Sequence, residues 1–231
     1  MKQIIPGLHT FTNLIVGRVY LIEDPDGLTL IDASIPPSAP KILKQIESLG
    51  RKPTEVKRIL MTHAHPDHHG NLPLLQKATG AQIIASAQEK PVLEGKKMID
   101  RPDPATLTGL SRHIRMPDTL LPAVAVDRVI EDGDRIETMG GLQAIFTPGH
   151  SPGHMAYWQP EKRVLFCGDV IFHMTGLTLP FAMATVDMAQ NKKSIQRIAQ
   201  LNPEIVCFGH GHPLTQDATH ALRTFAQKHI F

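Results

Sequence analysis

The histidines of this chain are concentrated in three short segments. Eight of the thirteen lie within residues 63–69, 150–154 and 210–212, and each segment directly follows a predicted strand. Imidazole nitrogens are good zinc ligands, and carboxylate oxygens bind zinc, iron or manganese. Because loops at strand ends bring groups from distant parts of a chain to one point, we expect the three segments to converge on a metal site.

The densest segment is HAHPDH at residues 63–68. Three histidines and an aspartate within six residues cannot all enter an apolar core without a large desolvation cost, so this hexapeptide predicts metal ligands. Asp169, at the end of its own predicted strand, is a further candidate. The isolated histidines are interpreted as surface or packing residues: His9, His113, His220 and His229.

Short apolar strands alternate with amphipathic helices along the chain, as in a mixed α/β protein. Strands are predicted at 16–24, 28–34, 56–61, 81–85, 128–130, 142–146, 155–159, 164–167 and 205–208. Helices are predicted at 38–50, 72–79, 188–201 and 215–228. A proline-interrupted segment at about 90–121 predicts a helical insertion within a single domain that spans residues 1–231.

The two halves of the chain share a weak repeat. An apolar run that ends in Asp32 leads through a predicted helix to a second strand and then to His63. The run that ends in Asp169 leads in the same way through a helix to a strand and His210. This pattern suggests a duplicated unit in which an acidic residue follows the first strand and a histidine follows the second.

Composition and charge narrow the class of partner. The chain is 42% hydrophobic and 20% charged, with a formal net charge of +2 and no cluster of basic residues, so we expect no nucleic-acid partner. No run approaches the roughly 18 apolar residues that a membrane span requires, so we expect no membrane partner. Cys167 and Cys207 lie in apolar runs and predict buried free thiols in a cytoplasmic protein. We expect a small-molecule substrate and a monomeric or homodimeric protein.

The motifs, in this order and spacing, resemble the metallo-β-lactamase superfamily over almost the whole chain. The resemblance rests on HxHxDH at residues 63–68, TPGHSPGH around His150, CGD ending at Asp169 and FGHGHP around His210, with LIDAS at residues 30–34 as the early strand. It implies a four-layer αββα sandwich. Two mixed β-sheets then lie face to face, helices cover them, and the metals lie at one edge between the sheets.

The resemblance also implies a set of ligands for two divalent metal ions, zinc first, with iron or manganese as alternatives. The implied ligands are His63, His65 and His150 for the first metal, Asp67, His68 and His210 for the second, and Asp169 as the bridge. In the superfamily such metals hold a bridging hydroxide as the nucleophile, and Asp67 corresponds to the residue that orients it. Asp67 is therefore the predicted catalytic side chain.

Within the superfamily, the motifs favour a metallo-hydrolase that acts on a small carbonyl ester-type substrate, either a thioester or a lactone. An acidic bridging residue such as Asp169 is absent from true β-lactamases, so antibiotic hydrolysis is not expected. Glyoxalase-II thioesterases share all seven ligands but usually continue into a glutathione-binding helical domain, whereas 21 residues follow His210 here. Quorum-quenching lactonases often carry a tyrosine where this chain has Phe172. Both branches stay open.

Three other functions are alternatives. A mononuclear-iron redox enzyme, similar to the persulfide dioxygenases of this fold, would differ in its metal count. A phosphodiester hydrolase would act on a different ester with the same kind of site. A binding-only protein is disfavoured because closed zinc sites are usually four-coordinate and cysteine-rich, whereas seven ligands with a bridging carboxylate leave a position for water.

Several neighbouring groups are expected to support the ligands. Asp32 and Thr62 are predicted to orient ligating imidazoles, and His154 is predicted to support the loop of His150 rather than to bind metal. The remaining candidates are His69 and His212, which flank ligands, and His173, which faces either the pocket or solvent. Apolar residues of the insertion and of the segment 174–183 predict either a wall over the site or a packing surface.

Overall fold

The fold was described from a computed structural model, which describes residues 1–114 and 116–229. The strands are β1 (Lys2–Ile5), β2 (Leu8–Thr10), β3 (Tyr20–Asp24), β4 (Gly27–Ile31), β5 (Val56–Leu60), β6 (Gln82–Ser86), β7 (Arg128–Ile130), β8 (Arg135–Ile136), β9 (Leu142–Phe146), β10 (Met155–Gln159), β11 (Val164–Gly168), β12 (Phe172–His173), β13 (Leu177–Thr178) and β14 (Ile205–Phe208). The α-helices are α1 (Ala39–Glu47), α2 (Pro66–His69), α3 (Leu72–Thr79), α4 (Lys90–Leu93), α5 (Met188–Ala199) and α6 (Ala218–Lys228).

The strands form two large mixed sheets and one small one. The first sheet has the order β1-β2-β3-β4-β5-β6-β7 and changes from antiparallel to parallel pairing at β4. The second has the order β14-β11-β10-β9-β8, in which only the pair of β11 and β14 is parallel. Strands β12 and β13 form the small third sheet. The predicted class, two mixed sheets with helices, is confirmed.

Side-chain alternation along the strands builds the layers. In β4, Leu28 and Leu30 belong to the apolar cluster that includes Ile42 and Ile46 of α1, while the adjacent Ile31 packs on the opposite face of the sheet. Ile31 lies in the central cluster together with Tyr157 of the second sheet. A third cluster joins the outer face of the second sheet to α5 and α6. The period-two alternation of strands therefore separates a central core from two outer helix-covered layers.

The predicted repeat is visible in the connectivity. Strand β4 leads through α1 to its parallel neighbour β5, and β11 leads through α5 to its parallel neighbour β14. Asp32 and Asp169 follow the first strand of each unit, and His63 and His210 follow the second. Since parallel neighbours end at the same sheet edge, each unit delivers a carboxylate and an imidazole to one place.

Some predicted boundaries change. Helix α5 ends at Ala199 and α6 begins at Ala218, and the strands β1, β2, β8, β12 and β13 were not predicted. The segment 90–121 contains the four-residue α4 and two short 3-10 turns, Pro104–Thr106 and Gly109–His113, joined by extended chain. Its prolines lack the backbone N–H that a longer helix needs. Among the described residues, no helix has both the length and the apolar character needed to cross a membrane.

Candidate metal centre

The structure brings all seven predicted ligands together. They form three overlapping groups, in each of which one ligand atom per residue lies within 4.8 Å of the others. The groups are His63, His65 and His150; His63, His68 and Asp169; and Asp67, His68 and His210. Each ligand lies in a loop or in the short helix α2, and these segments follow the strands β5, β9, β11 and β14. The convergence expected from the three histidine segments is therefore present.

The hexapeptide changes its backbone conformation halfway along, and this change spreads its four ligands. His63 and His65 lie in a stretch without helix, and residues two apart in extended chain point to the same side. Pro66 then occupies the first position of α2, where its fixed φ favours the helix and its missing N–H is not needed. The resulting turn directs Asp67 and His68 toward the second group of ligands.

Asp169 lies at the centre of the cluster. Its Oδ2 is 3.3 Å from His150 Nε2 and 3.2 Å from His210 Nε2, and its Oδ1 is 3.3 Å from His68 Nε2. The carboxylate thus contacts members of both predicted metal triads. The Asp169 side chain is 3% exposed, whereas that of Asp67 is 27% exposed. Solvent therefore reaches the cluster on the side of Asp67, which we call its open side.

Several buried atoms of the cluster lack the partners that buried polar groups require. His63 Nε2, His68 Nε2 and Asp169 Oδ1 make no hydrogen bond with any described residue. His65 Nδ1 and His150 Nε2 face each other at 2.9 Å. Because leaving buried polar groups unpaired is costly, such a set of converging nitrogen and oxygen atoms fits bound cations. The residues present therefore fit the predicted metals.

Comparison with known proteins identifies the protein family to which these ligand motifs point. A sequence model of the metallo-beta-lactamase superfamily matches residues 13–210. The chain belongs to the metallo-beta-lactamase superfamily. Its solved neighbours include BJP-1, a subclass B3 metallo-beta-lactamase of Bradyrhizobium japonicum, with 27% identity, a TM-score of 0.71, and coverage of 98% of this chain and 89% of that one.

Curated relatives in the superfamily carry several descriptions. Two from Bacillus subtilis are the uncharacterized protein YobT, 33% identical over 90% of this chain and 89% of that protein, and the probable metallo-hydrolase YflN, 29% identical over 90% and 85%. The hydroxyacylglutathione hydrolase of Rhodospirillum rubrum is 31% identical, and the match covers 71% of this chain and 52% of that protein. The match to that hydrolase thus spans about half of its length.

The ligands of this superfamily site fall into two electrostatic classes. Burial lowers the pKa values of His63 and His150 well below the ordinary value, and that of His65 to about 4. Burial also acts to lower the pKa of His210, but the Asp169 and Asp67 carboxylates outweigh it and raise that pKa to about 9. The first triad is therefore neutral and ready to donate lone pairs, whereas His210 of the second holds a proton in the metal-free protein.

Zinc loading of the metal-free protein is expected to release protons at pH 7. Burial disfavours charge on His68 as well, yet the neighbouring carboxylates raise its pKa well above the ordinary value, as they do for His210. The His210 proton competes with the metal below about pH 9, so apparent zinc affinity should rise as the pH increases toward that value. Titration calorimetry in buffers of different ionisation enthalpy measures the release. An affinity that does not change between pH 6 and 9 would argue against it.

The predicted orienting residues contact the ligands directly. Asp32 Oδ2 lies 2.8 Å from His68 Nδ1, which leaves His68 Nε2 to face the centre. The Thr62 hydroxyl donates to the same carboxylate oxygen at 2.8 Å and lies 3.0 Å from His63 Nδ1. One buried carboxylate therefore fixes a ligand of each triad, as second-layer groups do at metal sites.

His154 supports the loop of His150, as predicted. Its Nδ1 lies 2.8 Å from the hydroxyl of Thr147, three residues before His150, and its backbone carbonyl accepts the Thr147 N–H at 2.9 Å. It also has a partner that was not predicted, because its Nε2 accepts a hydrogen bond from the backbone N–H of Asp169 at 3.1 Å. The neighbour of His150 is Thr185, whose hydroxyl lies 3.1 Å from His150 Nδ1 and which sequence reasoning missed.

The remaining candidate histidines stand outside the three ligand groups. His69 is buried, and neither ring nitrogen makes a hydrogen bond with a described residue. His173 Nδ1 lies 2.7 Å from the backbone carbonyl of His212, so this ring is held by the chain itself. Phe172, in contrast, packs against His210 with the ring centres 4.5 Å apart and the ring planes tilted by 56°, so it forms an apolar side of the centre.

A buried glutamate that the sequence did not mark connects the two loops of the first triad. Glu89 Oε2 accepts the backbone N–H of Ala64, between His63 and His65, at 2.8 Å. Its Oε1 accepts the Ser151 hydroxyl at 2.6 Å and the Gly153 N–H at 2.9 Å, just after His150. Burial raises the pKa of Glu89, and these three hydrogen bonds act in the opposite direction.

Replacing Glu89 with alanine is expected to weaken zinc binding by about 10- to 100-fold, because residues that hold ligands in place have effects of that size. Competition with a chromophoric chelator measures the affinity, and a circular-dichroism melt reports whether the fold survives. Glu94→Gln is the matched control, since Glu94 pairs with the exposed Lys96 on the same segment. Equal zinc affinities for Glu89→Ala and the control would show that Glu89 does not position the ligands.

Proposed function

We propose that this chain is a dinuclear metal-dependent hydrolase that attacks a small carbonyl ester-type substrate, a thioester or a lactone. The observation that carries the proposal is the position of Asp169, whose carboxylate lies within 3.3 Å of imidazole nitrogens from both triads. A bridging carboxylate of this kind suits two cations that share one reaction site. Zinc is the proposed metal because all seven side chains offer imidazole nitrogens or carboxylate oxygens, which zinc accepts.

The two triads have distinct tasks in this proposal. His63, His65 and His150 would hold the first cation, and Asp67, His68 and His210 the second. Two divalent cations in these positions supply Lewis-acid activation of water and of the substrate carbonyl. The protein keeps the ligand nitrogens oriented through Asp32, Thr62 and Thr185.

Asp67 is proposed to hold the attacking water. Burial raises its pKa, but the charged His68 and the hydrogen bond from His210 lower it to about 2, so this carboxylate is ionised at neutral pH. It is also the carboxylate of the cluster that solvent can reach. An exposed, ionised carboxylate can accept a hydrogen bond from water and orient its lone pair toward the substrate.

An ester-type carbonyl is favoured over a β-lactam on two grounds. Asp169 supplies an acidic bridge like that of the thioesterase and lactonase branches of the superfamily, and a relative matched over 71% of this chain is a hydroxyacylglutathione hydrolase. Phe172 and Phe181, whose ring centres are 5.5 Å apart, give the site an apolar side. Pockets for small substrates are mostly apolar with a few fixed polar groups, so an apolar side is compatible with a small ester-type substrate.

A substrate screen of the metal-loaded protein tests the proposal. Thioesters, lactones, phosphodiesters and nitrocefin are offered at equal concentrations, before and after chelation of the metal. We expect hydrolysis of a thioester or a lactone that disappears with the metal and returns when zinc is restored. Failure of the zinc-replete protein to hydrolyse any of the four classes would overturn the assignment as a hydrolase.

A further inference from the structure

Two cavities adjoin beside His210 and form one groove. The first, of about 170 Å³, is lined by residues 14–18, Met174 and residues 209–212. The second, of about 560 Å³, is lined by residues 2–4, residues 10–14, Arg18, His212, Pro213 and Thr215. Because Leu14, Arg18 and His212 line both, we call the two adjoining cavities together the Arg18 groove. The lining of the first cavity includes the candidate ligand His210.

The near wall of the Arg18 groove is fixed to two ligand loops. The Arg18 backbone N–H donates to the carbonyl of Gly209 at 2.8 Å, directly before His210. Gly17 has a φ of +69°, and a Cβ there would overlap the carbonyl oxygen of Asp67. The segment that carries Arg18 thus packs without a gap against both Asp67 and the His210 loop. A substrate held at the open side of the centre can therefore extend into this groove.

The permanently charged side chains that line the groove are all basic. Neither set of lining residues contains an aspartate or glutamate, whereas both contain Arg18 and the second contains Lys2. Neither side chain makes a hydrogen bond or an ion pair with a described residue. Several other arginines are paired, as in Arg163 with Glu204 and Arg197 with Asp132. An arginine without a partner in a groove free of carboxylates is suited to bind an oxyanion.

We propose that Arg18, assisted by Lys2, recognises a carboxylate or phosphate group on the substrate. The inference rests on the proposed hydrolase and adds the substrate class, an anionic thioester or lactone. The first cavity is apolar at Leu14, Val16 and Met174, so an alkyl spacer would separate the reacting carbonyl from the charged group. The guanidinium then binds that group through paired N–H donors.

The test compares thioesters that share one acyl group and differ only at the end of the thiol. One thiol ends in a carboxylate, one in a phosphate and one in the uncharged amide. For the wild-type enzyme we expect kcat/KM about tenfold higher for at least one anionic substrate than for the amide, mainly through KM. Arg18→Gln should remove most of this preference, and added salt should weaken the preference of the wild-type enzyme. The larger preference identifies carboxylate or phosphate as the natural group.

Arg223→Gln is the matched control, since Arg223 is an exposed arginine on α6, away from the groove. Lys2→Gln, at an exposed position on β1, gives a second variant that tests the groove if Arg18→Gln does not fold. Equal kcat/KM for all three substrates, or an anion preference that survives both groove substitutions, would overturn the proposal.

Binding of non-hydrolysable thioether analogues separates this inference from the proposed reaction. Calorimetry should show the anionic analogue binding about tenfold more tightly than the amide analogue, and Arg18→Gln should abolish the difference while Arg223→Gln retains it. Discrimination between analogues by a protein that hydrolyses no ester would support the anion site and overturn the hydrolase. Hydrolysis with no discrimination would support the hydrolase and overturn the anion site.

Discussion

Replacing Asp67 with asparagine is expected to lower kcat on the order of a thousandfold or more, while the fold stays intact. Asp67 Oδ2 lies 3.0 Å from His210 Nε2, and the carboxylate is the solvent-accessible one of the cluster. Asparagine keeps the volume of the side chain but loses the charge that holds a cation and accepts a hydrogen bond from water. Steady-state kinetics on the substrate found in the screen, with metal content determined in parallel, measures the loss.

Asp217→Asn is the control for this substitution. Asp217 is exposed before α6, makes no side-chain capping hydrogen bond, and has a φ of 54°, which asparagine tolerates well. The Asp217→Asn enzyme should therefore retain the wild-type kcat. An Asp67→Asn enzyme with full metal content and a kcat within tenfold of the wild type would contradict the role given to Asp67.

Replacing Gly209 with alanine is expected to reduce metal binding and activity by about 100-fold or more. A Cβ at this position would overlap Asp169 Oδ1 and lie 2.8 Å from His68 Cε1. Neither group can retreat easily, because both are buried and His68 is also held by Asp32. Displacement of these two side chains should lower the affinity for metal strongly, because their positions set the geometry of the metal site. Zinc titration of the metal-free variant measures the effect.

Gly80→Ala separates this local effect from general destabilisation. Gly80 ends α3 with a φ of 71°, and an added Cβ there meets no atom within 4 Å. Alanine in that conformation costs roughly 1 kcal/mol of stability through backbone strain. We expect Gly80→Ala to melt earlier yet bind zinc normally. Normal zinc binding by Gly209→Ala would show that the tight packing around Asp169 is not needed.

Local signals along the chain were sufficient to predict much of the fold. Helix α3 was predicted with its exact bounds, because Pro73 lies in its first turn and Gly80 ends it in the left-handed conformation. The convergence of the histidine segments also followed from sequence, since each segment comes after a strand. Loops at strand ends meet at one sheet edge in an α/β protein, so the spacing alone indicated a shared site.

The supporting contacts could not be predicted in the same way. Glu89 lies in an unremarkable polar stretch, and its hydrogen bonds reach residues 25 to 64 positions away. The hydrogen bond from the Asp169 N–H to His154 depends on where β11 ends relative to the loop after β9. Local periodicity does not predict that arrangement. Long-range partners of this kind are decided by tertiary packing, whereas helix and strand signals are local.

The positions of the bound metal ions are the most direct test of the proposed two-metal centre. Anomalous diffraction at the zinc edge from crystals of the zinc-loaded protein locates each ion without reference to activity. The proposed site predicts two peaks, one among His63, His65 and His150 and the other among Asp67, His68 and His210, with Asp169 between them. A single fully occupied peak, or peaks away from these side chains, would contradict the two-metal centre.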